Sequence, residues 1–191
     1  MKTTRLEAFS DGVIAIIITI MVLELRVPLQ TDFAALRGVI PVFFAYVLSF
    51  FILGIYWNNH HHLIHVTKSV TGGIMWANLH LLFWLSLVPF VTGWMGENYN
   101  AVWPTALYGF DMLMAGIAYT ILQRLIVSCH GADSKLAASL GGDLKGKISV
   151  GSYALSIVVA PLAPRLSQVL FLLVAIMWVV PDRRTRAAFA V

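Results

Sequence analysis

The sequence has a single cysteine, Cys129, which excludes an internal disulfide framework and any CxxC metal or redox pair. Charge is also scarce: Asp, Glu, Lys and Arg make up 12% of the residues against 59% apolar, too little to clothe a soluble domain. GxSxG, a Walker loop and a GxGxxG turn opening a helix after a strand are all missing, so soluble catalysis finds no support and no enzyme is expected. Low-complexity segments are absent, and Gly109-Phe110-Asp111 is too thin an echo of Phe9-Ser10-Asp11 to count as a repeat. The excess of positive charge sits at the ends of apolar runs, where it sets orientation, so no nucleic-acid partner is expected.

What the sequence does have is long apolar runs along its whole length. It therefore reads as an all-α, polytopic membrane protein forming a single domain, 1-191. Six spans are expected, at about 5-26, 39-57, 74-94, 104-126, 148-162 and 166-180, with 128-147 the one sizeable loop. Thr4 and Glu7 have capping-box spacing, which starts the first helix near Thr4. Pro41 lies early in the second run, Pro89 predicts a kink late in the third, and Pro104 suits a first helical turn. The segment NNHHHLIHVTKS after Trp57 reads as a polar connection, and Met95 to Asn100 as a short turn. The last two runs are shorter than the roughly twenty residues that cross a bilayer comfortably, and Ala163-Pro164-Arg165 between them predicts a hairpin.

Lys2 and Arg5 before an apolar run mimic a signal peptide, but Asp11 interrupts the run and no small-x-small site follows, so the segment is expected to stay in the mature chain. With six spans, Lys2, Arg5, Lys68, Arg124, Lys135, Lys145, Lys147, Arg183, Arg184 and Arg186 share one side. Arg26, Arg37 and Arg165 fall on the other. That imbalance puts both termini of a multi-pass plasma-membrane protein in the cytoplasm.

The first run, from Arg5 to Leu25, carries Asp11 at its mouth, and an ionisable group at membrane depth marks a pathway or a polar network. At about 100° per residue, Gly12, Ile16, Thr19, Ile20 and Leu23 share one stripe. In a ring of copies, Ile16 would form a narrow apolar layer, Thr19 a layer of hydroxyl oxygens, and Leu23 a further apolar layer. Periodicity alone more often means a stripe facing lipid or a neighbouring helix, and a lone Thr usually bonds back to its own helix. Asp11 falls off the stripe and should face another helix. The end of the second span brings Trp57, His60 and His61 to the level of Arg5, Ser10 and Asp11, so an interhelical polar network is expected, with a histidine bridging Arg5 and Asp11.

At these residues the chain resembles a known family. Arg5-x-x-x-Phe9-Ser10-Asp11 before an Ile-rich span resembles the RxxxFSD signature of the transmembrane-protein-175 family of potassium channels, in its short bacterial form with one six-helix repeat. Trp57-x-x-His60-His61 resembles that family's tryptophan-histidine motif, and the two motifs together cover about the first sixty-five residues. The resemblance implies a homotetramer in a lipid bilayer whose first helices line a central pore, with potassium preferred over sodium and no cofactor. It also implies no TVGYG filter, and neither Thr71-Gly72-Gly73 nor Val91-Thr92-Gly93-Trp94 can stand in for one. Carried over by position, the hydrophobic constriction falls on Ile16 and the hydroxyl layer on Thr19, with Leu23 beyond. Arg5, Ser10, Asp11, Trp57 and one imidazole of His60 or His61 take the polar network, and the extra His62 and His65 leave open which imidazole it is.

Two other readings use the same residues. A proton-coupled transporter or proton-conducting protein would employ Asp11, Asp111 and the histidines, and for Asp111 a relay and a structural hydrogen bond read equally well. His61 and His65 are spaced to share a metal, but no Cys or carboxylate lies near them in sequence, so no metal site is expected.

Overall fold

The computed structural model describes residues 3–67, 69–130 and 143–179, and every regular element among them is helical. Lys2, Lys68, Lys135, Arg183, Arg184, Arg186 and most of the 128–147 segment lie outside the described residues. Helix α1, Thr3–Ile20, passes into a 3-10 turn, Met21–Glu24. A second 3-10 turn, Phe33–Gly38, is capped by the Asp32 carboxylate, which accepts from Ala35 N at 3.1 Å, and leads into α2, Ile40–His65. Helix α3, Gly72–Glu97, is capped by the Thr71 hydroxyl, and α4 follows as Val102–His130. Asp143 caps α5, Leu144–Val159, by accepting from Gly146 N at 2.8 Å, and α6 is Pro164–Val179, with its proline in the first turn where no backbone donor is needed.

Among the described residues, four helices are long and apolar enough to cross a membrane: Thr3–Glu24, Ile40–His65, Gly72–Glu97 and Val102–Cys129. At 16 residues each, α5 and α6 rise about 24 Å, short of a hydrocarbon core of about 30 Å.

The helices depart from the sequence expectation at several ends. The segment NNHHHLIH is the last two turns of α2 and not a polar connection, because His60, Leu63 and Ile64 recur at helical spacing and are buried, which keeps the helix paired with the bundle. Likewise Met95 and Gly96 are buried, and α3 runs on to Glu97 where a turn was expected. Pro89 lies inside this helix, which continues for about two further turns beyond it. At the N-terminus, Glu7 turns toward α2 rather than back to Thr4.

Helix α3 is the hub, touching α1, α2 and α4, with half of its span buried against 28% for α1 and α2. Leu81, Leu85 and Val88 of α3 meet Tyr108, Met112 and Ala115 of α4 in the centre, while α5 and α6 form a hairpin packed on α4, with α6 also touching α2. A Cβ on Gly96 would lie 2.7 Å from Val42 Cα, so α2 and α3 touch backbone to backbone there, a close approach that only glycine permits. Nearby, the Ser49 hydroxyl joins Thr92 at 2.7 Å and Tyr108 at 2.9 Å, tying α2, α3 and α4 together through buried oxygens. Against this framework α1 lays down Leu6, Ser10, Ile14, Ile17 and Met21, spaced three or four apart along one face.

Candidate pore helix and its polar anchor

The start of α1 is fastened to α2 and α3 by two polar chains. In the first, His60 Nε2 donates to Asn78 Oδ1 at 2.7 Å, Asn78 Nδ2 donates to Ser10 Oγ at 3.0 Å, and Ser10 Oγ donates to the Leu6 carbonyl at 2.8 Å. Ser10, His60 and Asn78 are all fully buried. Each link uses one donor and one acceptor, an order that places the imidazole proton on Nε2 and leaves Nδ1 a lone pair. A buried amide satisfied on both its atoms fixes the rotation of three helices at once.

In the second chain, Trp57 Nε1 donates to Asp11 Oδ1 at 3.0 Å, and His61 Nδ1 approaches Glu7 Oε1 to 3.0 Å. The His61–Glu7 contact has ion-pair distance without hydrogen-bond alignment. Trp57, His61 and His65 stack one turn apart on α2, with ring centroids 6.0 and 6.1 Å apart, so the indole and imidazole facing Glu7 and Asp11 are held in a ladder.

The opposite side of α1 is exposed among the described residues. Ile16 is 58% exposed and Leu23 76%, with Gly12, Thr19 and Ile20 exposed beside them. Thr19 Oγ1 bonds back to the Ala15 carbonyl at 3.0 Å and the Ile16 carbonyl at 2.9 Å, as a lone helical threonine does. Leu23 sits in the 3-10 turn, so its register relative to Ile16 is advanced beyond that of a continuous α-helix.

Ser10, Asp11, Trp57, His60 and His61 therefore come together, but with partners that the sequence did not pair. Among the described residues Arg5 is exposed and joins neither chain, and neither His60, paired with Asn78, nor His61, paired with Glu7, bridges it to Asp11. Glu7 and Asn78 were missed. Asn78 is one of the few polar residues in the third run, which was the available signal, and Glu7 had a competing local explanation as a cap. Away from the anchor, His80 Nε2 accepts from Trp84 Nε1 at 2.9 Å, and Asp111 is 2% exposed with neither carboxylate oxygen hydrogen-bonded.

Apolar helices of membrane length, cross-linked by buried polar contacts, define a polytopic α-helical membrane protein. Residues 5–89 match the sequence profile of the family described as endosomal/lysosomal potassium channel TMEM175. A protein of Chryseobacterium sp. (strain P1-3) named a potassium channel is 50% identical over 184 residues, covering 96% of each chain. The crystal structure of a lysosomal potassium-selective channel TMEM175 homolog from Chamaesiphon minutus superposes with a TM-score of 0.78 at 26% identity, covering 93% of this chain and 96% of that one. The human endosomal/lysosomal proton channel TMEM175 is 38% identical over 96 residues, which are 44% of this chain and 19% of the human one. The chain belongs to the TMEM175 family, whose members are ion channels and not enzymes.

Proposed function

We propose that the chain is a passive potassium-selective channel in which four copies surround an axis and α1 of each lines the pore. Partly dehydrated K+ passes an apolar constriction at Ile16 and a hydroxyl layer at Thr19, and Leu23 narrows the path one turn further on. The observation that carries this reading is the likeness to a solved potassium-selective homolog along 93% of the chain. The bare stripe of α1 supports it: a helix with a fully packed inner face and a bare outer face carrying a hydroxyl between branched apolar layers is suited to a shared axis. In this reading α5 and α6 cross the membrane as a hairpin, giving six spans and placing both termini on the cytoplasmic side of the plasma membrane.

Purified protein in liposomes under an outward K+ gradient should show flux, and Ile16→Asn should raise conductance or narrow the preference over Na+. Empty-vesicle rates from correctly folded tetramers would sink the proposal. A second reading, proton conduction, is favoured by the name of the human relative. It requires flux that follows a pH gradient in the absence of K+, and loss of that flux in Asp11→Asn protein that still assembles.

A further inference from the structure

We propose that Glu7, Asp11 and His61 form a binding site for a divalent transition-metal ion of the Zn2+ class, which would bridge α1 to α2. Glu7 and Asp11 stand i and i+4 on α1, so both carboxylates project toward the same neighbour. His61 of α2 lies between them, and one ligand atom from each of the three falls within 4.8 Å of the others. Among the described residues no Lys or Arg pairs with either carboxylate, so two negative charges converge on one imidazole.

One nitrogen of this cluster lacks the partner expected of a buried polar atom. His61 Nδ1 is enclosed and close to Glu7 Oε1, yet makes no aligned hydrogen bond. A positive charge among Glu7, Asp11 and His61 would satisfy this nitrogen directly and relieve the convergence of the carboxylates.

The donor set names the class of ion. One imidazole nitrogen with two carboxylate oxygens suits Zn2+ or Co2+, whereas Ca2+ and Mg2+ favour shells built from oxygen alone. Tetrahedral arms of about 2.0–2.1 Å separate ligand atoms by about 3.4 Å, so only small side-chain adjustments close the site, and water takes the fourth position. The supporting contacts are in place: Trp57 Nε1 holds Asp11 through Oδ1, and the flanking Trp57 and His65 rings orient His61. Neither Glu7 nor the metal enters the conduction reading, and binding is measured without flux, so the two proposals fail separately.

The test uses untagged, full-length protein in detergent, stripped with chelator and titrated with Zn2+ by calorimetry and with Co2+ by visible absorption. One ion per chain is expected, weakened at least about 100-fold by Glu7→Gln, since losing a ligand exceeds losing an outer partner. His80→Gln, on α3 and paired with Trp84 instead of with this cluster, should bind within about threefold of the parent, well short of the loss expected when a ligand is removed. Absence of saturable binding, or binding that survives Glu7→Gln, overturns the site. Should Glu7→Gln misfold, anomalous scattering from Zn2+-soaked parent crystals decides the matter: density between Glu7, Asp11 and His61 upholds the site, and density elsewhere refutes it.

Discussion

The two faces of α1 lie about 140° apart and share almost nothing in what they touch. The inner face, Leu6, Ser10, Ile14, Ile17 and Met21, is buried against the bundle and hydrogen-bonded at its start to Asn78 of α3. The outer face, Gly12, Ile16, Thr19, Ile20 and Leu23, is exposed among the described residues. One helix thus separates two demands that usually conflict. Its position is set by residues that never face the outer side, so the outer stripe is free to serve another purpose.

Ile14→Ala, on the inner face and fully buried, should destabilise the chain by about 2 kcal/mol in mixed-micelle unfolding. That figure is mostly the cavity term, because acyl chains are as apolar as the site that leucine and isoleucine leave. Ile16→Ala in the same assay should stay within about 0.5 kcal/mol, as exposed substitutions usually do; equal losses at Ile14 and Ile16 would erase the distinction between the faces. Asn78→Ala should cost about 1–2 kcal/mol, since it leaves buried His60 Nε2 without an acceptor and Ser10 without its amide donor. The smallest change in stability belongs to Thr19→Val, under about 0.5 kcal/mol, because its hydroxyl bonds only within its own helix. Its effect should appear instead in the reversal potential across a K+/Na+ gradient, and an unchanged reversal potential would remove Thr19 from the pathway.

Much of the anchor was legible from residue type and level alone. Ser10 and Asp11 at the mouth of an apolar run need partners, and antiparallel first and second spans bring Trp57, His60 and His61 to the same depth. The pairing within that group was not legible. It depends on how far each helix is rotated, and α2 and α3 are apolar on nearly all sides, so their sequences carry little periodic signal for rotation. Asn78 could be noticed as polar but not aimed at Ser10. The histidine-rich end of α2 misled for a different reason: side-chain polarity suggested a loop, while Leu63 and Ile64 kept a helical pattern that burial could use. Arg5 stood in a motif and still shows no partner among the described residues, since long cationic side chains satisfy themselves in water or at headgroups.

The bond that Thr19 makes to its own helix has a consequence for the sign of whatever meets it. The hydroxyl hydrogen is directed at the Ala15 and Ile16 carbonyls, so the oxygen turns only its lone pairs outward. A circle of such oxygens would offer electron density and no hydrogen to a passing ion. It would greet a cation with acceptors and give an anion nothing to hold, and so discriminate by charge with no charged residue in the layer.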